Sequence, residues 1–214
     1  MYKTTFLTVF TLLVFSCSLF SQNFSLISAS QNQVEIRHTL DAFEEEAIII
    51  NGKSYQNFAK TTKVVLMEEG KPALPLYSQA VLLPNNGEVN FMLEHDGFYE
   101  IENVLVAPSK GNLKRNVNPE TLPHTFGAVY QEDAFFPGNL GTLSEPFILR
   151  KTRGAVVTLF PYQYNPVTKT LRVYENLRVV VSTDTSKQGE NELMINGVSA
   201  ENDAFARFYG SMYI

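Results

Sequence analysis

Beyond position 17 the 214-residue sequence contains no cysteine. Once its first residues are removed, the chain can form no internal disulfide, no cysteine-based metal site and no thiolate nucleophile. The 193 residues after position 21 are long enough to bury a hydrophobic core without such staples. Basic residues are also in short supply. Removing Lys3 with the leader leaves 16 basic residues against 22 acidic ones, a net charge of −6, which favours solubility and argues against a nucleic-acid partner. No segment after the leader is apolar for long enough to make a stable membrane span. His38, His95 and His124 are far apart and none stands at a metal-ligand spacing, so they read as ordinary strand or loop histidines. The run Glu44-Glu45-Glu46 lacks the alternating oxygen ligands of a calcium loop and reads as a solvated face. Nucleophile elbow, phosphate-binding loop and dinucleotide fingerprint are all missing. The residues point to no catalytic group, no cofactor and no metal, and so to a chain that is not itself an enzyme.

The beginning of the chain is distinctive. Lys3 supplies a positive start, Phe6 to Phe15 runs without charge, and Ser16, Ser18 and Ser21 follow. This is the layout of a secretory signal peptide over residues 1–21, with cleavage expected after Ser21 and Ser18 as the alternative. It directs the chain to the periplasm and then the cell surface or the exterior. Phe15, bulky and two positions before Cys17, fits a lipid-attachment site poorly.

From residue 22 onward the dominant period is two. Val34, Ile36 and His38 alternate with Glu35, Arg37 and Thr39. Val89, Phe91 and Leu93 share one face, as do Tyr99 and Ile101, and as do Leu177, Val179 and Val181 with Arg178 and Ser182 opposite. Such alternation over short runs predicts half-buried strands. Corners follow at Asn51-Gly52, at Asn85-Asn86-Gly87 and at Asn165-Pro166, where Asn and Gly tolerate positive φ and Pro presets a turn. The expected fold is all-β, a jelly-roll-like antiparallel β-sandwich over residues 22–198. Phe205, Phe208, Tyr209, Met212 and Tyr213 fall at helical spacing, so residues 199–214 are expected to form a short C-terminal helix behind Ser199 as N-cap. The apolar pattern is cut off at Ile214, which reads as the front part of a longer chain.

One segment breaks the acidic background. Val104 to Asn118 carries Lys110, Lys114 and Arg115 and no acid, and Pro108, Gly111 and Pro119 mark it as a loop leaving a strand. It is either a solvated loop that keeps a strand end soluble or a basic finger offered to an acidic pocket, where Arg forms a bidentate pair with a carboxylate. A second basic cluster, Arg150, Lys151 and Arg153, reads as a charged strand end before Gly154.

Several stretches together resemble the N-terminal propeptide of the gingipains, the Arg- and Lys-specific cysteine peptidases of the C25 family. They are Gly70 to Pro75 (GKPALP), Val104 to Arg115 (VLVAPSKGNLKR), Glu132 to Gly138 (EDAFFPG), Leu143 to Gly154 (LSEPFILRKTRG) and Tyr164 to Tyr174 (YNPVTKTLRVY), in family order from about Gly70 to Val181. Residues 22–69 match loosely. The resemblance implies a jelly-roll-like prodomain that assists folding of a C25 catalytic domain, its expected partner in cis or in trans, and keeps it latent. It further implies that a basic residue after the A-P-S-K-G motif enters an acidic-floored specificity pocket. Arg115 occupies that position, with Lys114 beside it and Lys110 in the motif. Family members continue into a catalytic domain and commonly into a sorting domain for type IX secretion, whereas this sequence stops where the catalytic domain is expected. A basic maturation site is not evident after Arg207. The alternatives are a fragment of a zymogen, a free-standing inhibitor or chaperone acting in trans, and an exported binding or adhesion module that lost its peptidase.

Overall fold

The structure, a computed structural model, describes residues 23–41, 44, 46–61 and 64–194. The expected leader (1–21) and the expected closing helix (199–214) lie outside the described residues. The described chain is antiparallel β throughout its sheets, as the period-two pattern predicts.

The first sheet contains β1 (Phe24–Ser30), β2 (Gln33–Thr39), β6 (Glu88–His95) and β13 (Asn176–Asp184), in the order β1-β2-β13-β6. The second contains β5 (Tyr77–Leu82), β8 (Gly141–Leu143), β9 (Phe147–Leu149) and β10 (Thr152–Leu159), with β5 on one side of β10 and both β8 and β9 on the other. They meet through one contiguous core. Ile36, Leu177, Val179 and Val181 come from the first sheet, and Val81, Ala155, Val157 and Leu159 from the second. Each of the Val, Leu and Ile side chains removed from water contributes on the order of 1.5–3 kcal/mol before entropy is counted. The outer face of β13 is tied electrostatically, because Arg178 donates to Glu35 and to Glu94 on the flanking strands, both at 2.7 Å.

A smaller sheet, β7 (Tyr99–Ile101), β11 (Tyr162–Asn165) and β12 (Thr170–Val173), runs in the order β11-β12-β7, and β3 (Ala47–Ile50) pairs with β4 (Lys53–Gln56). A second core gathers here from Phe58 on the short helix α1 (Phe58–Thr61) with Leu74, Val106, Tyr162, Tyr164, Leu171 and Val173. Asn51 and Gly52 make the β3–β4 corner with φ of 49° and 76°, the left-handed pair that a two-residue hairpin needs. The apolar run Ala155 to Tyr164 is not one strand. It breaks at Phe160-Pro161 and passes from the sandwich core to the second core.

The alternation places His38 inside, and the structure buries it with no exposed surface between Phe24 and Tyr77, ring centroids 4.9 and 4.4 Å away. Neither ring nitrogen has a hydrogen-bond partner among the described residues. Burial lowers its pKa to about 4, with Asp41 opposing. The folded state therefore holds a neutral ring that the unfolded chain protonates below about 6.5. Stability from this site is intact above that pH and is lost as pH falls towards 4. Urea melts at pH 7.5 and pH 4 should show the native sequence losing about 3 kcal/mol more than His38→Leu across that interval.

Candidate functional site

The basic segment grows out of a backbone rail. Residues 106–109 are buried, and buried amides and carbonyls need partners. They find them on both sides. Gln56 N–H donates to Leu105 O (2.6 Å) and Ala107 N–H to Gln56 O (2.9 Å). On the opposite side Ala73 N–H donates to Ala107 O (3.0 Å), Ser109 N–H to Lys71 O (2.8 Å) and Gly70 N–H to Ser109 O (3.0 Å). Side chains complete the set, with Tyr130 Oη donating to Val106 O (2.9 Å) and His124 Nδ1 3.0 Å from Pro108 O. The stretches GKPALP and APSKG, separate in sequence, are thus partners in space. Pro72 and Pro108 face each other in that pairing, where neither has an N–H to leave unsatisfied.

The small residues have a steric reason. Gly127 N–H donates to Gly70 O at 2.8 Å, and a Cβ on Gly127 would lie 2.9 Å from that oxygen. Gly70 itself has a φ of +78°, and Gly111 one of +81°, both in the region that disfavours side chains. The Ser109 hydroxyl accepts Gly111 N–H (3.1 Å), which turns the chain out of the rail.

Residues 110–118 form the loop itself. Lys110 does not reach outwards: its Nζ donates to Pro119 O at 2.7 Å and clasps the two ends of the loop together. Val117 N–H donates to Lys114 O (3.0 Å), closing a turn with Arg115 and Asn116 at its centre. Lys114, Arg115 and Asn116 are exposed while Leu113 and Val117 are half-buried, so the loop is pinned by its apolar residues and presents its cations. Neither Lys114 nor Arg115 makes an ion pair or side-chain hydrogen bond with another described residue. Asn118 ends the loop by capping a 3₁₀ turn, its Oδ1 accepting Glu120 N–H at 3.0 Å.

Of the three basic residues expected at the site, the structure therefore brings Lys114 and Arg115 to one turn and assigns Lys110 to the loop's closure. Sequence reasoning missed His124 and Tyr130, whose supporting role follows only from the fold. It also placed Arg153 at a charged strand end. Arg153 instead points inwards from β10 and is 1% exposed, because the backbone carbonyls of Pro84, Gly87 and Glu190 converge on its guanidinium. Among the described residues no group of three or more His, Cys, Asp or Glu could hold a metal ion, and no helix is long and apolar enough to cross a membrane.

Residues 22–211 match the family model described as Propeptide_C25. Gingipain R1 of Porphyromonas gingivalis is 44% identical over 150 residues, 70% of this chain, and gingipain R2 of the same organism (strain W83) is 37% identical over 183 residues, 86% of it. The matched part spans 15% of the first and 24% of the second. Among solved structures, a chain from the complex of Porphyromonas gingivalis RgpB pro- and mature domains superposes with a TM-score of 0.78 and 34% identity, covering 89% of this chain and 96% of that one. A chain from the work on zymogenic latency of gingipain K from the same organism superposes with a TM-score of 0.62 at 17% identity, covering 78% and 95%, which shows the shared fold.

The rail and the turn should respond differently to mutation. Replacing both Lys114 and Arg115 with Ala is expected to change unfolding free energy by less than about 0.5 kcal/mol, as for surface positions. Gly70→Ala, at positive φ and with a Cβ 3.1 Å from Gly127 N, is expected to cost at least about 1 kcal/mol. Urea denaturation of the two variants beside the native sequence measures both.

Proposed function

Because this chain belongs to the family of C25 propeptides, we propose that it is the prodomain of a secreted gingipain-type cysteine peptidase, which it keeps latent and helps to fold by offering Arg115 to an acidic specificity pocket. The observation that carries this reading is the exposed turn at Arg115, without an internal counter-charge among the described residues and mounted on a backbone bonded from both sides. Pre-ordering of the loop by the Lys110 clasp reduces what docking costs in lost freedom. A guanidinium withdrawn from water onto a carboxylate forms two parallel charge-assisted hydrogen bonds, which fix geometry as well as supply attraction. Lys114, adjacent on the same turn, provides a second cation at the rim. The apolar leader of residues 1–21 supports export, and the RgpB complex of pro- and mature domains supports a catalytic domain as the partner. We assign the cysteine chemistry to that domain, since this chain has no cysteine beyond Cys17.

The test is inhibition of a C25 catalytic domain by the chain from Gln22 onward, with Arg115→Ala and the double variant that also carries Lys114→Ala. Both variants are expected to inhibit more weakly, the double variant by well over tenfold, equivalent to more than about 1.4 kcal/mol of binding. Equal inhibition by native and double-variant chains would remove the turn from the mechanism. Failure of the native chain to bind any such domain would favour a free-standing exported binding module.

A further inference from the structure

The end of the described chain carries a second set of converging contacts, remote in sequence from the Arg115 loop. After β13 the backbone turns at Asp184, whose Oδ1 accepts both the amide (3.1 Å) and the hydroxyl (2.6 Å) of Ser186. It then folds back over the corner between β5 and β6. Leu193 N–H donates to Asn85 O at 2.7 Å, and Asn191 Nδ2 donates to Pro146 O at 2.6 Å. Glu192 Oε1 accepts the amides of Gly87 (3.0 Å) and Gly189 (2.9 Å). Those two amides, with the Arg153 guanidinium nearby, hold its carboxyl below the usual carboxylate range.

Arg153 closes the assembly from beneath. Its Nη1 donates to Pro84 O (3.0 Å), and its Nη2 to Gly87 O (3.0 Å) and Glu190 O (2.7 Å). Two acceptors belong to the corner and one to the returning segment, so a single buried guanidinium joins them. A buried cation is costly unless its donors are met; here the Nη donors are met, one partner being the returning segment itself, while Nε has no hydrogen-bond partner among the described residues. The fit is close: a Cβ on Gly189 would stand 1.8 Å from Gly87 O. Beyond the contact Met194 is 82% exposed.

We infer that Arg153 and Glu192 form a lock that fastens residues 185–193 as a strap across the β5–β6 corner, so that the chain is held to the module as far as Leu193 and not only to the end of β13. The lock is independent of the Arg115 loop and of the role proposed for it. Nine unfastened residues could reach up to about 32 Å. The lock removes that length from any tether to a further domain and raises the effective concentration of the two tethered parts. It also shields the bond after Lys187 from proteolysis, because a peptidase needs a locally opened segment.

Limited trypsin digestion of the full chain, read by mass, tests this at the Lys187–Gln188 bond. Gly189→Ala, which cannot seat against Gly87, and Glu192→Ala, which abandons two amides, are each expected to speed that cut at least tenfold. Hydrogen exchange of the β13 amides from Leu177 to Val181 should stay as slow as in the native chain. An unchanged cutting rate in both variants would overturn the lock. So would loss of β13 protection in parallel with the cut in both, since the strap would then be no separate element.

Discussion

The loop-bearing half of the molecule depends on one constraint, that a buried backbone running from Val106 to Ser109 must be hydrogen-bonded along both edges. Neither neighbour is a long regular strand. One edge is served by Gln56 at the end of a short hairpin, the other by the Gly70–Ala73 segment, and two side-chain groups from the stretch after the loop meet what remains. Three separate pieces of chain are therefore held in register by one rail. The point at which the backbone departs, Lys110, is set to within hydrogen-bond tolerance, and the turn beyond it inherits that precision.

Arginine shows how strongly context decides the use of a residue. Arg178 lies on a sheet face between two carboxylates. Arg172 stacks between Phe98 and Phe135, 4.2 and 3.8 Å from the ring centroids, while binding Glu100. Arg153 is turned inwards to carbonyls. Each is occupied by the fold that surrounds it. Arg115 has no comparable engagement among the described residues.

Much of this was legible in the sequence. Alternation identified the inward faces of β2, β6 and β13, down to the burial of His38, because a period of two translates directly into one face of a sheet. Asn51-Gly52 named its hairpin because only such residues accept the required φ. The basic turn was visible from charge alone. Other features were out of reach for physical reasons. A continuous apolar run does not show where a strand changes sheets, so the break at Phe160-Pro161 was hidden within Ala155 to Tyr164. Charge type does not reveal direction, so Lys110 and Arg153 resembled surface cations although both bind carbonyls contributed from distant or returning backbone. The pairing of GKPALP with APSKG is a contact between segments more than thirty residues apart, and local pattern has no access to it.

The exposed turn has an electrical consequence as well as a geometric one. A chain of net charge −5 that displays two adjacent cations at one turn is a dipole with a small positive pole. An acidic surface approaching at random is repelled by the net charge and drawn to exposed cations, at this turn and at Arg150-Lys151 between β9 and β10. At physiological salt this discrimination operates within about 8 Å, the screening length, and reaches further in dilute buffer. Exposed charge of this kind makes the speed of encounter with a charged surface a function of ionic strength.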